Sequence, residues 1–131
     1  MTLDSSAIIE WLDTRAPAYD AVRAVIDDEP QPPLVPAAVL CEVGHLAERR
    51  YGSRAMDAFL GDLDSGALKL DCGERDIGRA RELLSRYADL RLGVTDAFVA
   101  VCAERNGGRV LTLDRRHFDV LARELALTVL P

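Results

Sequence analysis

The sequence contains no apolar run long enough to cross a membrane, and its N-terminus lacks the basic and then apolar stretch of a secretory signal. Internal repeats and low-complexity segments are also absent. These absences argue against a membrane protein, a secreted protein and a repeat architecture. We therefore expect a cytoplasmic protein with no membrane association.

Cysteine is scarce, and its arrangement excludes two kinds of site. The three cysteines are an odd number and form no CxxC pair. A disulfide framework or a zinc site would need paired or closely spaced ligands. We expect the cysteines to be small buried apolar residues in a reducing compartment.

Lysine is almost missing, because the chain has one lysine, Lys69, and fifteen arginines. The formal net charge is -6, so any contact with nucleic acid must use a local basic patch. Arginine suits phosphate oxygens, although a GC-rich coding genome produces the same bias.

The 131 residues are 49% hydrophobic and 29% charged, which is typical of one soluble globular domain covering residues 1–131. Apolar runs with strand character alternate with segments of helical period. The predicted order is β-α-α-β-α-α-β-α-α-β-α-β, which indicates an α/β fold with a parallel sheet and helices on both faces. The predicted strands are 1–3, 34–35, 67–70, 110–113 and 127–130, and the longer predicted helices are 37–51, 53–64, 74–87 and 96–105.

Four acids lie where such a fold does its chemistry. Asp4 ends the first strand and Asp114 ends the fourth. Asp96 lies in the first turn of a helix that is apolar almost all round, and Glu42 lies beside the apolar stripe of the helix after the second strand. Ligands of open α/β sheets bind at the carboxyl ends of the strands. Converging carboxylates repel one another, so we expect a divalent cation, with Mg²⁺ or Mn²⁺ favoured over zinc.

Each acid also has a simpler explanation when it is taken alone. Asp4 and Asp96 fit helix caps, Asp114 fits a turn after a strand, and Glu42 fits a surface position if the helix phase is one residue off. The metal-site hypothesis rests on all four acids feeding one end of a parallel sheet.

Four segments together resemble the PIN domain family, and specifically VapC-type toxins of bacterial toxin–antitoxin pairs. The resemblance covers nearly the whole chain, and its specificity comes from the order and spacing of the four acids. The first motif is commonly Asp-Thr-Ser in that family and is Asp-Ser-Ser here, which keeps a hydroxyl after the aspartate. The matching segments are Leu3-Asp4-Ser5-Ser6-Ala7-Ile8-Ile9, Glu42, Val94-Thr95-Asp96-Ala97-Phe98-Val99-Ala100, and Leu111-Thr112-Leu113-Asp114 with His117-Phe118.

The resemblance implies a three-layer α/β/α PIN-like fold with a short central parallel sheet. It also implies a Mg²⁺- or Mn²⁺-dependent endoribonuclease in which Asp4, Glu42, Asp96 and Asp114 form the metal and catalytic site. Ser6 and Thr112 match nearby hydroxyl positions that orient carboxylates or water.

Further residues are weaker candidates for the site. Arg115 and Arg116 follow Asp114 and could hold phosphate, although solvated arginines are the simpler interpretation. His117 is a candidate general acid, although a plain surface histidine is the simpler interpretation, and Asp119 is a candidate accessory acid.

Two other functions compete with this interpretation. A receiver-type phosphorylation domain would need two adjacent acids after the first strand and a lysine near the last, whereas Asp4 precedes serines and Lys69 lies on the third strand. A PIN-like binding module without activity could dispense with the four acids. As a toxin, the protein is expected to bind a small VapB-like antitoxin and to form a homodimer, and its RNA target could be a transfer, ribosomal or messenger RNA.

Overall fold

The computed structural model describes residues 1–131 and contains a five-stranded sheet with helices packed on both faces. The three-layer α/β/α architecture predicted from the sequence is confirmed. The strands are β1 Thr2–Leu3, β2 Leu34–Pro36, β3 Lys69–Asp71, β4 Arg109–Leu111 and β5 Thr128–Leu130. The helices are α1 Ser5–Trp11, α2 Tyr19–Asp27, α3 Ala37–Tyr51, α4 Ser53–Ser65, α5 Ile77–Arg86, α6 Val94–Arg105 and α7 Arg115–Leu125.

The sheet order β3-β2-β1-β4-β5 creates a topological switch point between β1 and β4. All strand pairs are parallel, and Thr2 of β1 is in register with Leu34 on one side and Val110 on the other. The chain builds outward from β1 to β3 and then crosses back to β4. Such a reversal opens a crevice at the carboxyl ends of the two central strands, where open α/β sheets bind ligands.

The strands are short and apolar because helices cover both faces of the sheet. Leu3, Val35, Val110 and Leu111 are completely buried within a hydrophobic cluster of 26 residues. Helix α6 is buried on nearly every side, as its sequence predicted. The crevice between β1 and β4 therefore has a rigid floor.

Two large apolar residues on α4 and α5 are exposed. Ile77 is 63% exposed at the first position of α5, directly after the separate 3-10 turn of residues Glu74–Asp76. Leu60 is also exposed, since α4 packs mainly on α3 and its neighbour Phe59 takes the buried position.

The cysteines match the expectation of buried apolar residues only in part. Cys102 is buried as predicted, but Cys41 and Cys72 are exposed, because they lie on the outer side of α3 and in the loop after β3. No helix combines the length and apolar character needed to cross a membrane.

Candidate metal centre

Asp4 lies at the switch point, where one of its carboxylate oxygens accepts hydrogen bonds and the other has no partner. Its side chain directly follows β1 and is only 2% exposed. The Oδ2 atom accepts hydrogen bonds from the Ser6 hydroxyl at 2.6 Å, the Thr112 hydroxyl at 2.8 Å and the Ser6 N–H at 3.4 Å. The Oδ1 atom is buried and has no hydrogen-bond partner. An unpaired buried carboxylate oxygen is costly and indicates that a ligand belongs beside it.

The Ser6 and Thr112 hydroxyls join the two central strands around Asp4. Ser6 Oγ accepts the Leu113 N–H at 2.9 Å, and Thr112 Oγ1 accepts the Asp114 N–H at 3.0 Å. Each hydroxyl therefore donates to Asp4 and accepts from the segment after β4. This arrangement fixes the Asp4 carboxylate, and it leaves Oδ1 as the atom available to a ligand.

Asp96 is held in the first turn of α6 by the preceding loop. Its Oδ2 accepts the Gly93 N–H at 3.1 Å. A Cβ atom at position 93 would lie 3.0 Å from that oxygen, so any larger residue would push against the Asp96 carboxylate. Burial raises the pKa of Asp96, and the charges of Asp4 and Asp114 raise it further, against the Gly93 hydrogen bond and His117, which lower it. The three acids therefore interact electrostatically.

Asp114 and His117 complete the cluster at the start of α7. Asp114 caps the helix, since its Oδ1 accepts the His117 backbone N–H at 3.3 Å. His117 Nδ1 lies 2.8 Å from Asp114 Oδ2 and 3.2 Å from Asp96 Oδ2. Possible ligand atoms of Asp96, Asp114 and His117 all lie within 4.8 Å of one another.

The prediction of a surface histidine at position 117 is wrong, because its side chain is only 15% exposed. The spacing could have indicated this. Residues three apart in the first turn of a helix share a face, so His117 was bound to lie on the same side of α7 as Asp114.

The sequence profile of the PIN domain family matches residues 1–124. Ribonuclease VapC26 of Mycobacterium tuberculosis is 37% identical over 123 residues, which cover 92% of this chain and 91% of that relative. This chain belongs to the PIN domain family. The match to VapC26 places it in the VapC group of that family, as the sequence motifs predicted.

Two solved structures share the fold of this PIN domain. Mycobacterium tuberculosis VapC20, described as a sarcin-ricin loop cleaving toxin, superposes with a TM-score of 0.80 at 19% identity, covering 91% of this chain and 92% of its own. A toxin–antitoxin complex from Klebsiella pneumoniae gives a TM-score of 0.67 at 16% identity, covering 89% of this chain and 88% of its own.

The remaining sequence candidates of this PIN domain form no hydrogen bond or ion pair with Asp4, Asp96 or Asp114. Glu42 is half-buried on α3 and makes neither a hydrogen bond nor an ion pair, so its metal-binding role stays a prediction. Arg115 is exposed and pairs with Asp119 at 3.0 Å, which makes both residues a surface ion pair of α7. Arg116 is exposed and forms no ion pair.

The residues around the crevice fit a divalent cation. Asp4, Asp96 and Asp114 supply carboxylate oxygens, the ligands that hard cations prefer. Neither arginine nor lysine forms an ion pair with any of them, and His117 is the sole basic side chain in the cluster. The negative charge at this end of the sheet thus lacks a full counter-charge within the chain.

Proposed function

We propose that this PIN domain is a metal-dependent endoribonuclease that hydrolyses RNA as the toxin of a type II toxin–antitoxin pair. The observation that carries the proposal is the buried, unpartnered Oδ1 of Asp4, which lies at the switch point with Asp96 and Asp114. The named activity of the relative VapC26, a ribonuclease, supports RNA as the substrate class.

Asp4, Asp96 and Asp114 would hold a Mg²⁺ or Mn²⁺ ion, with Glu42 as a further ligand or a residue that orients water. When bound, such an ion supplies an activated water and offsets the charge that develops on the phosphate. Ser6 and Thr112 keep the Asp4 carboxylate in one orientation through their hydrogen bonds. The Gly93 N–H does the same for Asp96. No nucleophilic side chain is needed.

Cleavage of an unstructured RNA by the purified protein tests the proposal. We expect cleavage with Mg²⁺ or Mn²⁺, loss of cleavage in EDTA, and recovery when Mn²⁺ is restored. Cleavage that continues in EDTA would contradict the metal role, and RNA binding without cleavage in either metal would favour a binding module. Sequencing of cut ends after brief expression in cells would then identify the RNA target.

We also propose that a small VapB-like antitoxin holds the toxin inactive in the cytoplasm. The solved toxin–antitoxin complex from Klebsiella pneumoniae has the same fold, and a site of three acids invites an arginine or lysine from a partner. Co-expression with an adjacent small reading frame should relieve toxicity. Toxicity that persists while the two proteins bind each other would argue against a blocked site.

Finally, we expect a homodimer that uses the surface of α3 and α4, where the monomer leaves the apolar side chain of Leu60 exposed. A two-fold dimer would apply the same surface of both copies to one interface. Light scattering at micromolar concentration measures this directly, and a monomeric mass would contradict it.

A further inference from the structure

His117 lies in the position that a cation would take between two of the proposed ligands. Its Nδ1 atom is 2.8 Å from Asp114 Oδ2 and 3.2 Å from Asp96 Oδ2, so a single ring nitrogen contacts both carboxylates. The other ring nitrogen, Nε2, is buried and has no hydrogen-bond partner. The imidazole therefore makes all its polar contacts through the two acids.

We propose that His117 competes with the metal ion for Asp96 and Asp114, and so sets the affinity of the site. This inference rests on the proposed metal-dependent function. A hydrogen on Nδ1 uses the carboxylate oxygens that a cation would bind, and both the neutral Nδ1–H form and the imidazolium carry that hydrogen. A cation that binds the same two Oδ2 atoms would therefore replace these contacts and displace the ring.

The surroundings of Nε2 favour a competitor over a ligand. If Nδ1 bound the metal, the ring hydrogen would sit on Nε2, where the chain supplies no acceptor. Histidines that bind metals almost always donate the other N–H to a carboxylate, a carbonyl or water. With the hydrogen on Nδ1, the unpartnered atom in the neutral ring is an acceptor, and buried acceptors without partners are more common than buried donors.

The fold allows the ring to leave without disturbing α7. The backbone N–H of His117 donates separately to Asp114 Oδ1, at 3.3 Å, and this bond helps to cap the helix. The imidazole makes no hydrogen bond or ion pair beyond Asp96 and Asp114. Moving this one side chain would therefore free both carboxylates.

Calorimetric titration of the full chain with Mn²⁺, and separately with Mg²⁺, tests the competition. We expect His117→Ala to bind both ions about tenfold more tightly, as expected when a charge-assisted hydrogen bond no longer has to be broken. His117→Asn should lie between Ala and wild type, because its amide can still donate. His45→Ala is the matched control, since His45 is the other histidine of the chain and is exposed on α3, and it should match wild type.

The direction in which metal affinity changes in His117→Ala distinguishes a competitor from a metal ligand or a structural contact. Weaker binding by His117→Ala would make the histidine a ligand, and unchanged binding would make it a structural contact; either result overturns the competition. Melting curves add a second readout, in which metal-free His117→Ala should melt lower than wild type and gain more from saturating Mn²⁺.

Wild-type protein with ¹⁵N-labelled histidine gives a test that needs no variant. The His117 imidazole signal should move on saturation with Mg²⁺ while the His45 signal stays, and a stationary His117 signal would overturn the inference. If wild type binds neither ion, the proposed metal-dependent function fails as well. If wild type binds metal and cleaves RNA but His117→Ala binds no tighter, only the competition fails.

Discussion

Two aspartates of this PIN domain are almost equally buried, but they differ in the hydrogen-bond partners of their carboxylate oxygens. Asp4 is 2% exposed and Asp76 is 3% exposed. Both oxygens of Asp76 accept hydrogen bonds from Arg105, from Nε at 2.9 Å and from Nη2 at 2.9 Å. Asp4 receives three donors on one oxygen and none on the other.

The two aspartates mark opposite ends of helix α6. At its last turn, Arg105 forms a bidentate pair with Asp76 and donates one further hydrogen bond to Asp71, and these hydrogen bonds raise the pKa of Arg105. At its first turn, Asp96 faces Asp4 without any arginine or lysine. Burial alone therefore does not identify a functional acid. The difference lies in whether the chain supplies the counter-charge, which it does for Asp76 and does not do in full for Asp4.

Asp4→Asn should have the largest effect on activity. Asparagine can still cap α1, but the charge that holds a hard cation is lost. We expect RNA cleavage to fall by about a thousandfold or more, because a catalytic metal contributes several kcal/mol and each 1.36 kcal/mol is tenfold in rate. Single-turnover cleavage of one RNA at saturating Mn²⁺ measures it.

Asp76→Asn is the matched control for that measurement. It removes the charge of an equally buried acid whose partner is Arg105, so the folded fraction should cleave RNA at close to the wild-type rate. Equal losses of cleavage in the two variants would show that burial, and not the missing counter-charge, distinguishes functional acids here.

Arg105→Met should have the largest effect on stability. It leaves the Asp76 carboxylate buried without its partner, while methionine keeps most of the apolar length of the side chain. Removing one member of a buried pair costs about 3 kcal/mol at the lower end of the usual range, which suits a partly exposed arginine. Urea unfolding of the metal-free protein should show this loss. A change below about 0.5 kcal/mol would mean that water already screens the pair.

Much of the fold was readable from the sequence because its signals are local. Helix α3 spans Ala37–Tyr51 as predicted, and the apolar composition of α6 predicted its burial. Asp4 and Asp114 were expected at one edge of the sheet because each follows a strand. A parallel sheet then brings such residues together without further information.

The features that the sequence did not predict depend on tertiary contacts. Asp76 and Arg105 pair across 29 residues, and nothing in either segment identifies the other as its partner. The contact between His117 and Asp96 likewise joins two different helices, so neither segment reveals it alone.

Thr112→Val should lower cleavage through its effect on Asp4. The variant removes a hydroxyl that donates to Asp4 Oδ2 and accepts the Asp114 N–H. Groups that orient metal ligands typically contribute 10- to 100-fold, so we expect a loss of about tenfold or more. Thr2→Val is the control, because Thr2 is equally buried but contacts only the Cys102 sulfur. Similar losses in both would point to packing instead of Asp4 orientation.

Asp96→Asn should stabilise the metal-free protein by about 1 kcal/mol while lowering cleavage strongly, although less than Asp4→Asn does. Charges about 4 Å apart repel by about 1 kcal/mol in water and about 4 kcal/mol at an effective dielectric of 20, and His117 offsets part of this repulsion. Melting in EDTA should therefore favour the variant. Added Mn²⁺ should stabilise wild type more, and equal gains in both would remove Asp96 from the site.

The stability difference between Asp96→Asn and wild type should depend on pH. Because the pKa of Asp96 is raised in the folded state, the folded protein holds this proton more tightly than the unfolded chain does. Wild-type stability should then fall as pH rises from the ordinary aspartate range through the raised pKa. The advantage of Asp96→Asn should accordingly be complete at neutral pH and disappear below about pH 4. A stability difference that does not change with pH would exclude ionisation of Asp96 as its cause.

The smallest effect is expected for two surface arginines, Arg115 and Arg116, when each is replaced by alanine. They differ, as Asp76 and Asp4 do, in whether the chain already supplies a partner of opposite charge. Arg115 already pairs with Asp119 at 3.0 Å, whereas exposed Arg116 forms no ion pair and is free to meet a phosphate. Loss of one phosphate contact should weaken RNA binding a few-fold and reduce the salt dependence of binding by about one unit of slope. We expect this for Arg116→Ala, with a smaller change for Arg115→Ala, because RNA must first displace Asp119. Titration of a catalytically inactive Asp4→Asn background with labelled RNA at several salt concentrations measures both. Identical slopes for the two variants would mean that neither arginine contacts the RNA backbone, or that the Asp119 pair does not restrain Arg115.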